Sequence, residues 1–106
     1  MSDTVTPEEL VQLLNSENPP RVFDVRRRID FENDPAMIPG AAWKDPENVA
    51  EWGKDLDTTE IVIYCARGGS VSRSVQEKLR GYGLDVKFVE GGIEAWRRTG
   101  KRARNP

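Results

Sequence analysis

Histidine is absent from this 106-residue sequence, and cysteine occurs only once, at Cys65. A single cysteine cannot form an internal disulfide, and without histidine the common zinc sites lack their ligands. Catalytic pairs in which a histidine activates a serine or a cysteine are excluded for the same reason. If Cys65 is a nucleophile, backbone N–H groups and arginines must therefore activate it.

Long apolar segments are also missing. No run approaches the roughly 18 apolar residues of a membrane-spanning helix, and there is no apolar core of a signal peptide, so we expect a cytoplasmic protein without membrane binding. The formal net charge of −2, from 16 basic and 18 acidic side chains, gives no reason to expect nucleic-acid binding. The length fits one domain, residues 1–106, and we expect its basic end, residues 100–106, to be a solvated, partly disordered tail.

The stretch around Cys65 carries the clearest functional signal. Four apolar residues precede it, Ile61–Tyr64, and they predict a short strand that is buried on both faces. Apolar residues then recur at spacings of four, four and three from Val71 to Tyr82, which predicts a helix over 71–82. The segment between strand and helix contains two adjacent glycines. The thiol therefore ends a buried strand and faces a glycine-containing loop and the start of a helix.

This arrangement favours an ionised sulfur. The first N–H groups of a helix have no partner within the helix and carry about half a positive charge, so they bind anions and stabilise thiolates. Gly68 and Gly69 can adopt positive φ angles that turn several amides inward, and Arg67 and Arg73 add positive charge. The alternative is that Cys65 is a small buried hydrophobic residue without special reactivity.

The rest of the chain alternates between strands and helices. Thr6 is a predicted N-cap, with Pro7 at the first helical position and Glu9 completing a capping box. The other predicted elements are a strand over 22–25, a loop over 29–40 with no more than a turn of helix, a short strand over 41–43, a helix after Asp45, a strand over 86–89 and a last helix around 93–96. This alternation predicts an α/β fold with a mostly parallel sheet and helices on both faces.

Asp24 and Arg26 are candidate supporting residues of the site. Asp24 is a charged residue in an otherwise apolar strand, and ligands of open α/β sheets bind beyond the carboxyl ends of the strands. The carboxylate either hydrogen-bonds a neighbouring loop or belongs to the site. Arg26, the first of three consecutive arginines, could face the same crevice as Cys65, and the alternative is a solvated run with one member in an ion pair.

Five motifs together resemble the rhodanese family of sulfurtransferases, over about residues 5–100. In sequence order they are Asp24-Val25-Arg26, Ile38-Pro39-Gly40-Ala41, Val62-Ile63-Tyr64-Cys65, the stretch from Leu79 to Gly83, and Glu90-Gly91-Gly92-Ile93-Glu94-Ala95-Trp96. The resemblance implies a three-layer, single-domain fold with a five-stranded parallel sheet. It also implies that Cys65 accepts a sulfane sulfur from thiosulfate or a similar donor as a persulfide. The sulfur would pass to cyanide, a thiol or an acceptor protein, without a cofactor or a metal.

The loop after the cysteine would hold both the anionic donor and the persulfide. Main-chain N–H groups would stabilise the terminal negative charge, and an arginine would grip the sulfonate end of thiosulfate through charge-assisted hydrogen bonds. The serine hydroxyls would either donate as well or cap the helix. Besides the catalytic Cys65, the predicted anion-binding residues run from the cysteine into the helix: Ala66, Arg67, Gly68, Gly69, Ser70, Val71, Ser72 and Arg73.

Two departures from the family pattern leave other functions open. Many members have an arginine five positions after the cysteine, where this sequence has Ser70, and the loop is one residue longer than the common pattern. Related cell-cycle dual-specificity phosphatases and some arsenate reductases have longer loops, but the phosphatases keep an arginine at the loop's end, where this sequence has Val71. A phosphate- or arsenate-directed enzyme is therefore one alternative, and a non-catalytic module that binds an anion or a partner is another.

Overall fold

A five-stranded, wholly parallel sheet forms the centre of the protein in the computed structural model, which describes residues 3–56, 60–67 and 69–100. In chain order the strands are β1 (Thr4–Val5), β2 (Arg21–Asp24), β3 (Ala42–Trp43), β4 (Glu60–Tyr64) and β5 (Asp85–Val89). Their order across the sheet is β1-β5-β4-β2-β3. The strand that leads to the cysteine is therefore central, with Ile63 of β4 opposite Phe23 of β2 and Phe88 of β5.

Helices cover both faces of the sheet, as the sequence predicts. Within the described residues they are α1 (Pro7–Leu14), α2 (Arg28–Asn33), α3 (Val49–Trp52), which follows a 3-10 turn, α4 (Ser70–Arg80) and α5 (Gly92–Arg98). Alternate residues of β4 point to opposite faces, so Val62 and Tyr64 share one core cluster with residues of α1 and α5. Ile61 and Ile63 belong to the other core cluster, with residues of α3 and α4. The predicted α/β class and parallel sheet are confirmed.

The start of α1 has the predicted capping box. The Glu9 backbone N–H donates to Thr6 Oγ1 at 3.1 Å, and the Thr6 N–H donates to Glu9 Oε1 at 2.8 Å. Leu10, in the first turn after this cap, is fully buried. Local capping and a buried apolar residue therefore act together to fix where the helix begins.

Two elements differ from the prediction made from periodicity. β1 was not foreseen, because its two residues are too few to show an alternating pattern; Thr4 and Val5 pair with Phe88 and Val89 of β5. The segment 29–40, expected to be a loop with no more than a turn of helix, contains most of α2. No residue of α2 is buried, so the segment has no apolar stripe by which a helix can be recognised.

The boundaries of the helix after the cysteine differ by one or two residues from the predicted 71–82. α4 begins at Ser70 and ends at Arg80, where Gly81 is the C-cap, and Gly83 then turns the chain with a φ of +84°. Residues 101–106 of the predicted tail lie outside the described residues, and the extent of the domain stays a prediction. Within the described ranges no helix is long and apolar enough to span a lipid bilayer.

Candidate active site around Cys65

A cavity of about 620 Å³ opens beside the residues that follow β2 and β4. The end of β4 and the start of α4 form one part of its wall, and residues of α2 and α5 form the others. Its lining residues are Arg26, Arg27, Asp30, Asp34, Cys65, Ala66, Arg67, Gly69, Ser70, Val71, Ile93, Glu94 and Arg97. The predicted catalytic cysteine therefore stands in the wall of a cavity at the carboxyl edge of the sheet, where α/β folds bind ligands.

Backbone hydrogen bonds fix Cys65 at this position. The residue lines the cavity although only 6% of its surface is exposed. Its carbonyl oxygen accepts a hydrogen bond from the Ile93 N–H at 3.0 Å, and the Ala66 carbonyl accepts one from the Glu94 N–H at 3.2 Å. The first turn of α5 therefore holds the carbonyls of Cys65 and of the residue that follows it.

Gly92 allows α5 to approach the backbone of Cys65 and Ala66 this closely. A Cβ atom at this position would lie 2.6 Å from both the carbonyl carbon and the carbonyl oxygen of Ala66, and closer still to the carbonyl oxygen of Cys65. The φ angle of Gly92 is +62°, in the left-handed region that side chains other than hydrogen disfavour. Both the close approach and the backbone angle therefore require glycine.

The N-terminus of α4 opens onto the same cavity. Gly69 is the N-cap and offers no side chain to cap the helix, and the Arg73 N–H makes a helical hydrogen bond to the Gly69 carbonyl at 3.3 Å. The N–H groups of Ser70, Val71 and Ser72 come before this bond, so they have no acceptor one turn back within the helix. Because Gly69, Ser70 and Val71 line the cavity, the positive end of the helix dipole lies at its wall.

Asp24 and Arg26 form a buried ion pair under one side of the cavity. Both side chains are at most 3% exposed, and Arg26 Nη2 lies 2.6 Å from Asp24 Oδ2. The guanidinium also donates to the carbonyls of Asp34 at 2.8 Å and Ala36 at 3.0 Å. Burial alone would lower the pKa of Arg26, but the hydrogen bond and charge of Asp24 hold it above its usual value. The pair therefore ties the end of β2 to the segment after α2.

Tyr64, the last residue of β4, is fully buried beside this ion pair. Burial raises the pKa of its phenol above the usual range, and the Asp24 carboxylate acts in the same direction. The phenol oxygen accepts a hydrogen bond from the Ile38 N–H at 3.1 Å. A neutral phenol therefore connects the strand before the cysteine to the loop that precedes β3.

Ion pairs surround the mouth of the cavity. Arg67 Nε lies 2.6 Å from Glu94 Oε2, and Arg97 Nη1 lies 2.7 Å from Asp34 Oδ2. The hydrogen bond and charge of Glu94 raise the pKa of Arg67. A hydrogen bond from Arg97 lowers the pKa of Asp34, against the opposite effect of partial burial. Each of the two arginines at the mouth therefore already has a carboxylate partner.

Comparison with known proteins decides the family. A family model described as the rhodanese-like domain matches residues 6–99, nearly all of the chain. The chain belongs to the rhodanese-like domain family.

Relatives of this rhodanese-like domain include proteins named as sulfurtransferases. The chain is 35% identical over 95 residues to "Thiosulfate sulfurtransferase GlpE" of Pseudomonas syringae, and the match covers 88% of this chain and 86% of that protein. It is 28% identical over 94 residues to "Adenylyltransferase and sulfurtransferase UBA4" of Yarrowia lipolytica. That match covers 87% of this chain but only 23% of the much longer relative.

Solved structures agree with the family. A rhodanese-like domain protein from Staphylococcus aureus is 28% identical and superposes with a TM-score of 0.80. The match covers 99% of this chain and 99% of that one. A full-length protein from Lactobacillus plantarum has a TM-score of 0.85 at 20% identity, over 98% of this chain and 88% of that one. The second likeness concerns the fold alone, and it shows that this architecture persists at low sequence identity.

The rhodanese-like domain brings most of the predicted site residues together. Cys65 and the predicted anion-binding residues Ala66, Arg67, Gly69, Ser70 and Val71 all line the cavity, as does the supporting Arg26. Ser72 and Arg73 do not line it: Ser72 is buried in α4, and Arg73 lies over the Phe88 ring, 5.9 Å from its centroid. Gly68 lies outside the described residues. The roles assigned to these residues stay predictions.

The carboxylates of the cavity and the arginine contributed by α5 were not among the site residues predicted from the sequence. Asp30 and Asp34 come from the segment expected to be mostly loop, and Glu94 and Arg97 from the last helix. A signal for the helix residues was present, because the Gly91-Gly92 turn follows a strand and therefore starts a helix at the carboxyl edge of the sheet. Among the described residues no group of three or more potential ligands could hold a metal ion.

Proposed function

We propose that this rhodanese-like domain is a sulfurtransferase in which Cys65 carries the transferred sulfur as a persulfide. The observation that carries the proposal is the placement of Cys65 in the cavity wall beside the N-terminus of α4. The start of α4 presents main-chain N–H groups without a helical acceptor to this part of the cavity wall, and such groups bind anions. In a chain without histidine, main-chain N–H groups and arginines are the groups that remain to stabilise an anionic sulfur.

The proposed first step is attack of the Cys65 thiolate on the outer sulfur of thiosulfate. The new bond joins the two sulfurs, the sulfur–sulfur bond of the donor breaks, and sulfite leaves with the bonding electron pair. The product is a persulfide whose terminal sulfur is anionic, so the total charge is unchanged and no proton moves. Main-chain N–H groups at the start of α4 would stabilise that terminal charge, as the donors of an oxyanion hole do.

The second step is attack by a thiophilic acceptor on the terminal sulfur of the persulfide. Cyanide or a thiol would take the sulfur and leave the Cys65 thiolate ready for another cycle. The cavity volume of about 620 Å³ is within the range of sites for small organic ligands, so there is space for an acceptor larger than cyanide. The names of the two sulfurtransferase relatives support a sulfur donor and an acceptor as partners. We further propose that the acceptor can be a protein and that the location is cytoplasmic.

Intact-mass measurement tests this proposal directly. The protein is incubated with thiosulfate, 3-mercaptopyruvate or polysulfide, and the wild type should gain one sulfur atom that cyanide then removes as thiocyanate. Since Cys65 is the only cysteine, alkylation before incubation and the Cys65→Ser variant should both abolish the gain.

The alternatives predict different outcomes of the same experiment. A wild-type protein that gains no sulfur from any of these donors would be a non-catalytic binding module. Turnover of an aryl phosphate or reduction of arsenate that is lost in Cys65→Ser would indicate the phosphate- or arsenate-directed enzyme. Val71 lines the cavity where that class has its arginine, and for this reason we favour sulfur transfer.

A further inference from the structure

The cavity around Cys65 contains arginines, yet its charges are balanced. Among the described residues that line it, every arginine has a carboxylate within ion-pair distance. The pairs are Arg26 with Asp24, Arg27 with Asp30, Arg67 with Glu94 and Arg97 with Asp34. A site built to take up a doubly charged anion would gain from arginines whose charge is not already compensated. The cavity around Cys65 instead presents each guanidinium together with the negative charge of a carboxylate.

The carboxylate of Glu94 is fixed next to the cysteine loop. Its backbone N–H donates to the Ala66 carbonyl at 3.2 Å, which sets the position of α5 relative to the loop. Its side chain accepts from Arg67 Nε at 2.6 Å and also lies 3.6 Å from Arg98 Nη2. The Arg67 side chain is 84% exposed, and its hydrogen-bonded partner is this carboxylate. Glu94 therefore determines where the guanidinium of Arg67 stands at the cavity.

Asp34 is fixed in the same way on the other side of the mouth. Its carbonyl oxygen accepts from the buried Arg26 at 2.8 Å, which anchors the backbone. Its carboxylate accepts from Arg97 Nη1 at 2.7 Å. Two carboxylates on separate segments thus stand at the mouth in fixed positions, and an incoming anion meets them together with the arginines.

From this charge balance we infer that Glu94 and Asp34 select the charge of the sulfur donor, so that the site favours singly charged donors over the dianion thiosulfate. A fixed negative charge repels a dianion about twice as strongly as a monoanion at the same distance. The favoured class is that of persulfides, polysulfides and thiosulfonates with one negative charge near the sulfane sulfur. The inference rests on the proposed sulfur transfer at Cys65 and names its substrate class.

Methanethiosulfonate provides a donor that differs from thiosulfate in the relevant property. It carries the same outer sulfur on a sulfonyl group, with a methyl group in place of one charged oxygen. The Cys65 thiolate attacks the outer sulfur, the sulfur–sulfur bond breaks, and methanesulfinate leaves with the electron pair. One thiolate and one monoanion give one persulfide anion and one sulfinate anion, so the charges balance as they do with thiosulfate.

The test compares both donors in the wild type, Glu94→Gln and Asp34→Asn. The second-order rate of persulfide formation is measured at low ionic strength, and the ratio of the thiosulfate rate to the methanethiosulfonate rate is taken for each protein. Removing one negative charge from a partly exposed side chain at the cavity should raise this ratio about three- to tenfold. The rise should shrink at high salt, because mobile ions screen exposed charges. Glu51→Gln is the matched control, since Glu51 is exposed on α3 and does not line the cavity.

The possible outcomes separate this inference from the proposed function. Sulfur gain from both donors with a ratio that is unchanged or lower in Glu94→Gln and Asp34→Asn would overturn the charge selection and leave sulfur transfer intact. A wild type that gains sulfur from neither donor would overturn the proposed function, and the inference with it. A raised ratio in the two variants, with no change in Glu51→Gln, is the result expected.

Discussion

Replacing Gly92 by alanine should both destabilise the protein and slow the chemistry of Cys65. The new methyl group would overlap the carbonyls of Cys65 and Ala66, which belong to backbone and cannot swing aside. Forcing a residue with a Cβ into the left-handed region costs about 1–2 kcal/mol. Overpacking a close contact typically adds about 1–3 kcal/mol. We therefore expect Gly92→Ala to lose about 2–5 kcal/mol of unfolding free energy, a large part of the roughly 5–15 kcal/mol of a typical domain.

Gly83→Ala is the matched control for this substitution. Gly83 also has a positive φ, +84°, but a Cβ atom there would meet nothing within 4 Å. It should therefore incur only the backbone term of about 1–2 kcal/mol. Urea unfolding of the two variants and the wild type gives the three free energies, and the difference between the variants isolates the overlap with the cysteine loop.

The functional readout is the rate at which Cys65 is alkylated or gains sulfur while the variant is still folded. Gly92→Ala should slow both reactions, because the loop must shift to make room and the hydrogen bond from Ile93 to the Cys65 carbonyl is weakened. Gly83→Ala should react at the wild-type rate. Equal losses of stability in the two variants, or an unchanged rate in Gly92→Ala, would refute the view that close approach of α5 positions the thiol.

Three further substitutions test individual contacts through the unfolding free energy. Tyr64→Phe leaves the buried Ile38 N–H without its acceptor and should cost about 1–3 kcal/mol, whereas a loss near zero in urea unfolding would contradict that role. Ser72→Ala should be neutral or slightly stabilising, since the buried hydroxyl has no hydrogen-bond partner among the described residues; a clear loss would reveal one. The hydrogen bond from Arg97 lowers the pKa of Asp34, so its stabilisation is present above the unfolded Asp value near pH 4 and is lost as the pH falls through the lowered pKa. The gap between wild type and Asp34→Asn, about 0.2–1 kcal/mol at neutral pH, should therefore close in acid, and a gap that widens would contradict the assignment.

The parts of the fold that the sequence revealed are those with strong local signals. The capping box at Thr6 and Glu9 and the apolar run before Cys65 each combine a residue pattern with a clear physical consequence. β1 and α2 lack such signals, because β1 is two residues long and α2 buries nothing. Their conformation depends on neighbours that are distant in sequence, which no local pattern records.

The candidate site shows the same division between local and distant information. The sequence predicts the residues from Cys65 to Arg73 as a group, because they are contiguous and their order alone places a thiol before a helix. Arg73 is predicted for its charge, but one turn into α4 its guanidinium lies over the ring of Phe88 in β5 and away from the cavity. Glu94 and Asp34 reach the cavity through tertiary structure, so their pairing with arginines could not be read from the sequence.

The central position of β4 has a consequence for how the protein opens. A middle strand is hydrogen-bonded on both sides, and here the partners are β2, with four residues, and β5, with five. Such strands exchange their amide hydrogens only when the whole domain opens, whereas edge elements such as β1 and α2 fray at lower cost. The thiol therefore follows directly on the strand that we expect to unfold last. Local opening elsewhere in the domain should leave the sulfur chemistry of Cys65 unchanged until the whole domain unfolds.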